Sequence, residues 1–283
     1  MHPVAFDYEV AESVDHAIEL LGHYGDDARL IAGGHSLIPL MRLRLAAPAV
    51  LVDLDRLEDL RYIRDEGDHL AIGALTRHRD VHNNELINEH CGIVGYTAGL
   101  LGDPSVQHRG TIGGTLAHGD PAGDMPSVVS ALEATLVVKG PDGERTIPAG
   151  EFFKDYLFTD LGAQEVVTEV RVPKLGSDTG WSYKKFARRS QDWAIVGVAA
   201  VVERDDGSIS SARIGLTSMG ATPIRASAAE QGLSGASADN VAEAAEAADE
   251  GTSPASDDAA SAEFRRHLAR VWTRRAVEEA LDR

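Results

Sequence analysis

RLIAGGHSLIPLMRLRL, residues 29–45, is the stretch that decides how the first part of the chain folds. Its first three residues, 29–31, predict a short apolar strand that runs into two adjacent glycines. A helical pattern follows over 37–45, and Pro39 falls in the first turn, where its missing N–H is tolerated. The stretch therefore predicts a strand, a glycine loop and a helix in succession.

The flanking residues extend this pattern on both sides. Residues 5–10 are predicted to be extended, and Ser13 is an N-cap for a helix that Gly22 and Gly25 end. Residues 50–54 predict a second buried strand. The opening fifth of the chain is therefore predicted to be an α/β unit with the glycine loop inside it.

The rest of the chain predicts mixed elements without a regular βαβ repeat. These elements are a hairpin over 60–74, helices over 76–101 and 125–134, strands over 136–139 and 165–172, and three strands over 181–187, 194–203 and 211–218. The closing helices carry a core-facing stripe from Phe264 to Val277. The predicted fold class is α+β, with an N-terminal α/β unit, a central α+β unit, and a C-terminal three-stranded antiparallel sheet with helices. The predicted boundaries are 1–55, 56–176 and 177–283.

Composition excludes several classes of protein. The chain has 283 residues, 43% of them hydrophobic, so it can bury a sizeable core. Its formal net charge of -18 argues against a general affinity for nucleic acid or anionic membranes. No stretch approaches the roughly 18 apolar residues that a membrane span needs. The single cysteine, Cys91, cannot supply the four ligands of an iron–sulfur cluster and is interpreted as a buried apolar residue.

The first glycine loop has the features of an anion site. Adjacent glycines permit positive φ and a close approach to a ligand, and consecutive amide N–H groups form a concave anion site. Gly33 and Gly34 would supply the close approach and Ser36 a hydroxyl donor. A single glycine pair before a helix is nevertheless more often a plain tight turn.

A second glycine pair, Gly113 and Gly114, repeats the pattern between the hydroxyls of Thr111 and Thr115. Two such loops can bind two phosphates, so the duplication favours a diphosphate ligand more than either loop alone. Neither the Gly-Lys-Ser/Thr of a P-loop nor a G-x-G-x-x-G after a strand is present, which argues against a Walker ATPase and a Rossmann site.

The polar segment HGDPAGD, residues 118–124, has two interpretations. Four nearby residues are acceptable metal ligands in type: His108, His118, Asp120 and Asp124. The spacing of a metal motif is missing, and Asp124 could instead accept hydrogen bonds from ribose hydroxyls, as acidic residues do in other dinucleotide sites. We favour the ribose interpretation and expect no metal site.

Three motifs together resemble the FAD-binding medium subunits, or middle domains, of the molybdenum hydroxylases, which include xanthine dehydrogenase and aerobic carbon monoxide dehydrogenase. The motifs are Ala-Gly-Gly-His-Ser-Leu-x-Pro at 32–39, Arg-Gly-Thr-Ile-Gly-Gly at 109–114, and His-Gly-Asp-Pro at 118–121 followed by Asp124. Residues 188–194 and 256–275 also resemble the family, so the likeness covers nearly the whole chain. The short chain and the Ala-Gly-Gly-His-Ser start are most like the carbon monoxide dehydrogenase branch.

The resemblance implies that FAD is bound without a covalent bond. The implied diphosphate contacts are Ala32, Gly33, Gly34, His35, Ser36, Leu37, Thr111, Ile112, Gly113, Gly114 and Thr115. Asp124 would hold the adenosine ribose, and Lys185 and Trp193 would lie beside the isoalloxazine ring, with an ordinary core position for Trp193 as an equal alternative. His35 is expected to pack beside the diphosphate.

The resemblance also implies partners. A large subunit would carry the molybdenum cofactor and the substrate, a small subunit would carry two [2Fe-2S] clusters, and this chain would pass their electrons through FAD to a quinone, a cytochrome or NAD. The complex would be a dimer of heterotrimers in the cytoplasm, and attachment to the inner face of the membrane through the complex is left open. Carbon monoxide is the favoured substrate, with aldehydes, purines and other N-heterocycles as rivals.

Two hypotheses from other classes stay open. One is a nucleotide-sugar or phosphate-ester transferase that binds its diphosphate with the glycine loops and a metal with Asp120 or Asp124. The other is a non-catalytic assembly subunit whose loops have lost their ligand.

Overall fold

Three larger β-sheets follow one another along the chain in a computed structural model that describes residues 2–283, and a fourth sheet has only two strands. The first sheet lies within residues 7–53, the second within 63–173 and the third within 179–225. Helices cover the sheets and also connect them. This is the mixed helix and sheet class that the sequence predicts.

The first sheet is parallel and has three strands in the order β1-β3-β2. Its elements are β1 (Asp7–Val10), α1 (Val14–Tyr24), β2 (Ala28–Ile31), α2 (Leu37–Leu43) and β3 (Val50–Asp53). Ser13 caps α1 as predicted, because its hydroxyl accepts a hydrogen bond from the backbone N–H of His16 at 3.0 Å. Gly25 ends the helix, whereas Gly22, predicted to end it too, lies inside it.

This sheet positions the first glycine loop. Strand β2 ends at Ile31, and residues 32–36 connect it directly to α2. In α/β sheets, ligands bind outside the carboxyl ends of parallel strands. The loop lies at that end of the sheet.

The second sheet is antiparallel, with five strands in the order β4-β5-β10-β6-β7. This part of the chain contains the strands β4 (Ile63–Asp65), β5 (His69–Gly73), β6 (Thr135–Gly140), β7 (Gly143–Pro148), β8 (Phe153–Asp155), β9 (Phe158–Thr159) and β10 (Val166–Pro173). Strands β8 and β9 form a separate two-stranded hairpin. Its helices are α3 (His78–Asn83), α4 (Glu85–His90), α5 (Gly92–Leu100), α6 (Pro104–Arg109), α7 (Ile112–His118), α8 (Asp124–Ala131) and α9 (Ala149–Phe152). The predicted helical region 76–101 is thus three short helices, and the predicted helix 125–134 is α8.

The third sheet is antiparallel and runs β11-β12-β13-β14. Its strands are β11 (Thr179–Phe186), β12 (Val196–Asp205), β13 (Ser208–Thr217) and β14 (Ile224–Arg225). The first three are the predicted strands, and the two-residue β14 extends the edge. The helices that follow are α10 (Ser227–Leu233), α11 (Val241–Ala245) and α12 (Ala262–Leu281), and α12 packs across β11 and β12.

One buried cluster joins the second and third parts of the molecule. Tyr183, Ala199 and Val201 of the third sheet are buried in the same core as the helices of the central unit, and α8 packs against β12 and β13. This shared core fixes the position of α8, where Asp124 lies, relative to β11, where Lys185 lies. Within residues 2–283, no helix combines the length and the apolar character that a membrane crossing requires.

Candidate functional site

A cleft of about 710 Å³ collects residues from all three parts of the chain. Its volume is within the range of about 300–1,000 Å³ that is typical of small-molecule and cofactor sites. Every site residue predicted from the sequence lines this cleft except Ile112, whose side chain is fully buried in the central core. Ile112 is therefore a core residue, and the others form one site.

The first loop has consecutive backbone N–H groups that form no hydrogen bond within the part of the chain that the structure describes. The amide N–H groups of residues 33–37 donate to no acceptor within residues 2–283. Gly34 has φ +73°, the left-handed region that favours glycine. Free N–H groups at residues 36 and 37 are usual at the start of a helix, and here they continue a run of free amides in the preceding turn, an arrangement that forms an anion-binding concavity. The geometry of this loop therefore suits an anionic group.

Gly33 has a second role, which is to let two backbone segments touch. A Cβ at this position would overlap the carbonyl oxygen of Arg109 and crowd Cα of Gly110. The first loop is thus pressed against the chain just before the second glycine pair. His35 stays exposed, and its Nδ1 lies 3.0 Å from the carbonyl oxygen of Gly33, so its ring is hydrogen-bonded to its own loop.

The second glycine pair is built differently, because both glycines lie in the first turn of α7. The Thr111 hydroxyl caps this helix by accepting from the N–H of Gly114 at 3.1 Å. The N–H of Gly113 donates to the carbonyl oxygen of Ala74 at 2.9 Å, and a Cβ on Gly113 would lie 2.5 Å from Cβ of Ala74. This corrects the expectation that the Gly113 amide is free for a phosphate, since Gly113 permits close helix–strand packing instead.

Gly114 and Thr115 are the least buried residues of the second segment, residues 111–115, in the cleft wall. Gly114 is exposed, and a Cβ there would meet the Thr111 hydroxyl at 2.8 Å and otherwise nothing closer than 4.0 Å. Thr115 is half-buried in the cleft wall. The second segment therefore presents an open glycine and a hydroxyl.

His78 is a cleft residue that the sequence did not reveal. Its backbone N–H donates to the carbonyl oxygen of Gly110 at 3.0 Å, and its Nε2 lies 2.8 Å from Oγ1 of Thr115. Burial lowers the pKa of this imidazole to about 4, with a smaller effect from His35, so His78 is neutral at physiological pH. No local pattern marks it, because its role arises only from tertiary contacts with the second glycine segment.

Asp124 forms a buried ion pair in the cleft wall. Its Oδ2 accepts from Nζ of Lys185 at 2.7 Å, and its Oδ1 accepts from the hydroxyl of Tyr183 at 2.6 Å. Burial raises the pKa of Asp124, while Lys185 and Tyr183 oppose the increase. Burial and the neighbouring carboxylate raise the pKa of Tyr183 well above its ordinary value. A ribose hydroxyl at Asp124 would have to share an oxygen that already accepts a hydrogen bond.

Tyr183 could have been found from the sequence. It lies two residues before Lys185 on β11, and residues two apart on a strand point to the same face. Once Lys185 is placed in the cleft, Tyr183 is expected beside it.

The metal interpretation finds no ligand set. Within residues 2–283, no three histidine, cysteine, aspartate or glutamate side chains come together in a way that could hold a metal ion. Asp120 instead accepts from the N–H of Ala122 at 2.8 Å and shapes the turn before α8. Burial lowers the pKa of His118, although Asp120 opposes the decrease.

Trp193 lines the cleft and is 59% exposed. An ordinary core position for Trp193 is therefore wrong. With Asp120 and Asp192, it also lines an adjoining cavity of about 740 Å³. Cys91 is fully buried, and burial raises the pKa of its thiol to about 12, which confirms it as an apolar core residue without a reactive thiolate.

Comparisons with known proteins give one consistent result. Residues 4–175 match the family described as the FAD binding domain in molybdopterin dehydrogenase, and residues 181–280 match the CO dehydrogenase flavoprotein C-terminal domain.

The relatives match over their full length. The chain is 40% identical to the carbon monoxide dehydrogenase medium chain of Hydrogenophaga pseudoflava, covering 99% of this chain and 98% of that protein. It is also 40% identical to the 6-hydroxypseudooxynicotine dehydrogenase complex subunit alpha of Paenarthrobacter nicotinovorans, covering 100% and 97%. A solved structure of the Hydrogenophaga pseudoflava carbon monoxide dehydrogenase that lacks the Mo-pyranopterin moiety superposes with a TM-score of 0.97 at 42% identity, covering 100% of this chain and 99% of that chain.

Proposed function

The chain belongs to the FAD-binding family of the molybdopterin dehydrogenases, and on that premise we propose that it is the flavin subunit of a molybdenum hydroxylase that oxidises carbon monoxide. It is an oxidoreductase component whose cofactor is FAD. We propose that FAD is held without a covalent bond. In this proposal the substrate is oxidised on a partner chain, and the present chain carries electrons.

The free amides of the first loop are the observation that carries the proposal. Five consecutive N–H groups, those of residues 33–37, belong to residues that line the cleft and have no protein acceptor within residues 2–283. A diphosphate presents several charged oxygens on adjacent phosphorus atoms, and such oxygens accept strong hydrogen bonds from backbone amides. The residues present therefore fit the diphosphate of FAD.

The other cleft residues have distinct proposed roles. Gly114 leaves space for the diphosphate, and the hydroxyls of Ser36 and Thr115 donate to its oxygens. Thr111 acts mainly by capping α7, since its hydroxyl already accepts from Gly114. Asp124 accepts from a ribose hydroxyl while it remains paired with Lys185.

Trp193 concerns the isoalloxazine end of the cofactor, where it offers an exposed indole face beside the ring. We place Lys185 elsewhere than beside the ring, because its 2.7 Å ion pair with Asp124 keeps it next to the ribose that Asp124 would hold. FAD, when bound, supplies transfer of one or two electrons, and the protein fixes its position and tunes its electronics. No side chain of this chain needs to transfer a proton to the substrate of the complex.

We further propose the assembly in which the chain works. Its partners are a large subunit with the molybdenum cofactor and a small subunit with [2Fe-2S] clusters, in a cytoplasmic dimer of heterotrimers. The external acceptor is a quinone, a cytochrome or NAD. Residues 1–55 and 56–176 form the two parts of the FAD-binding region and 177–283 the C-terminal domain, a division that the separate sheets support.

A second candidate has an observation of its own. The identity to the 6-hydroxypseudooxynicotine dehydrogenase subunit equals that to the carbon monoxide dehydrogenase medium chain, at 40%. An aromatic N-heterocycle is therefore the alternative substrate class, and either substrate would be bound by the partner subunit.

The experiment is to purify the chain with its partners and record its visible spectrum. Bound flavin gives bands at ~370 and ~450 nm. Under anaerobic conditions, bleaching of the ~450 nm band by carbon monoxide supports the first candidate, and bleaching only by an N-heterocycle supports the second. A colourless chain that takes up no FAD on reconstitution contradicts both and favours the transferase or the ligand-free assembly subunit.

A further inference from the structure

His78 and Thr115 form a hydrogen-bonded pair in the wall of the cleft. The imidazole Nε2 lies 2.8 Å from the Thr115 hydroxyl oxygen, and this is the hydroxyl's only hydrogen bond to residues 2–283. Thr115 lies in α7, where threonine hydroxyls often donate to a carbonyl of the preceding turn. That bond is not made here, so the direction of the His78 bond decides where the hydroxyl hydrogen points.

The other ring nitrogen of His78 decides that direction. Nδ1 is buried and has no hydrogen-bond partner within residues 2–283. A neutral imidazole carries one hydrogen, on either Nδ1 or Nε2. A hydrogen on Nδ1 would be a buried donor without an acceptor, which is rarer in proteins than an acceptor left without a donor. The hydrogen therefore belongs on Nε2, and His78 donates to Thr115.

We infer that His78 is a positioning residue for the cofactor: it donates to Oγ1 of Thr115 and so leaves the Thr115 hydroxyl hydrogen free to bond a phosphate oxygen in the cleft. This inference rests on the proposed binding of FAD. With His78 as donor, the hydroxyl accepts one hydrogen bond from the protein and gives its own hydrogen to the ligand. In the opposite tautomer, Thr115 would donate to His78 and present only lone pairs to the diphosphate, which would repel it.

The His78–Thr115 pair also explains how the second segment can supply a hydrogen-bond donor to the cofactor, although its glycine amides are already bonded to the protein. The Gly113 amide is bonded to Ala74, and the Gly114 amide is bonded to Thr111. A hydroxyl aimed by a buried imidazole supplies the donor that these amides do not. The backbone bond from His78 to the carbonyl of Gly110 holds the imidazole in register with the segment.

The test uses two substitutions of His78 that place an amide at different positions. His78→Gln can place its amide N–H near the position of Nε2, and His78→Asn can place it only near Nδ1. We expect His78→Gln to bind FAD within about threefold of wild type and His78→Asn to bind about tenfold to a hundredfold more weakly, as expected for losing a hydrogen bond to a charged group. Affinity is measured by equilibrium titration of the deflavinated full chain with FAD.

Substitutions of Thr115 supply the matching arm and leave residue 78 a histidine. Thr115→Ser keeps the hydroxyl and should bind FAD like wild type, whereas Thr115→Val should lose about as much affinity as His78→Asn. Because His78 acts through Thr115, adding His78→Asn to Thr115→Val should cost little more affinity, which a double-mutant cycle reports. Thermal unfolding of each apo variant shows whether the fold is intact.

The possible outcomes distinguish a failure of this inference from a failure of the proposed function. If wild type takes up no FAD, the proposed function fails. If wild type binds FAD but His78→Asn or Thr115→Val binds equally well, or the two losses add in full, the inference is overturned and the function stands. If the His78 variants do not fold, equal affinities of Thr115→Ser and Thr115→Val overturn it by themselves.

Discussion

The two glycine pairs look alike in sequence, yet they are built in opposite ways. The first, Gly33 and Gly34, lies in a loop whose amides find no protein acceptor. The second, Gly113 and Gly114, lies in the first turn of a helix whose amides are bonded to Ala74 and to the capping Thr111. The first segment therefore offers backbone donors to a ligand, and the second mainly holds the cleft together and offers a side-chain hydroxyl.

This difference shows that a glycine pair can serve three physical purposes. Gly34 takes a positive φ, Gly33 and Gly113 allow two backbone segments to touch, and Gly114 leaves space on the cleft side. Only the last purpose concerns the ligand directly. A substitution at each glycine should therefore impair either folding or FAD binding, according to the purpose of that glycine.

The largest effect is expected for Gly33→Ala, which tests the contact between the two segments. The added methyl would overlap the backbone carbonyl of Arg109, so the two segments must move apart. We expect the free energy of unfolding to fall by about 3 kcal/mol, as for severe overpacking, and FAD affinity to fall with it. Urea unfolding of the apo chain measures the first effect and FAD titration the second.

Gly150→Ala is the matched control for that substitution. Its added Cβ would meet no atom within 4 Å, and its φ is not positive, so neither stability nor FAD affinity should fall. An unchanged urea midpoint for Gly33→Ala would show that the two segments are not pressed together at this point.

A smaller effect, confined to binding, is expected for Gly114→Val. A branched side chain here would project into the cleft and meet mainly the Thr111 hydroxyl of the protein itself. We expect FAD affinity to fall by about a hundredfold, while the unfolding free energy of the apo chain changes by less than about 1 kcal/mol. Titration and urea unfolding of the same preparation separate the two quantities.

Gly150→Val controls for adding the same side chain at an exposed glycine away from the cleft. If Gly114→Val retains wild-type affinity, the second segment does not contact the cofactor, and the two segments differ even more than the geometry indicates. If it unfolds the chain, Gly114 belongs with Gly33 and Gly113 as a packing glycine.

The sequence revealed the parts of the site that depend on local chemistry. Strand β2, the loop and α2 follow from apolar spacing and adjacent glycines, and the cap of α1 follows from Ser13. The sequence could not show which amides are free. Whether the N–H of Gly113 is available depends on Ala74, which is distant in sequence and reaches it only after the central sheet has formed.

The electrostatic parts of the site were predictable to a limited extent. The family resemblance predicts that Asp124 and Lys185 lie at the cofactor, but their ion pair depends on how α8 packs against the third sheet. The sequence does not predict His78, because a histidine in a short helix has no pattern of its own. Its significance lies in burial and in one hydrogen bond across the fold.

The smallest expected effect is the pH dependence that His78 gives to the free energy of unfolding. His78 contacts the second segment through its hydrogen bonds to Gly110 and Thr115. In the unfolded chain this imidazole takes up a proton below a pH of about 6.5, whereas burial keeps the folded imidazole neutral until its pKa of about 4. Between these values the unfolded state binds more protons, so the contribution of His78 to the free energy of unfolding is full above pH 6.5 and decreases as the pH falls. At pH 5.5 the loss should be on the order of 1 kcal/mol.

Urea unfolding of wild type and His78→Gln at pH 7.5 and pH 5.5 isolates this contribution, because other titrating groups cancel in the difference between the two proteins. Wild type should lose on the order of 1 kcal/mol more than His78→Gln over that interval. Parallel pH profiles would mean that His78 is accessible to water and protonates in the folded chain. The second segment would then have no buried neutral imidazole beside it, and the Thr115 hydroxyl would be no better oriented than the Ser36 hydroxyl in the first loop.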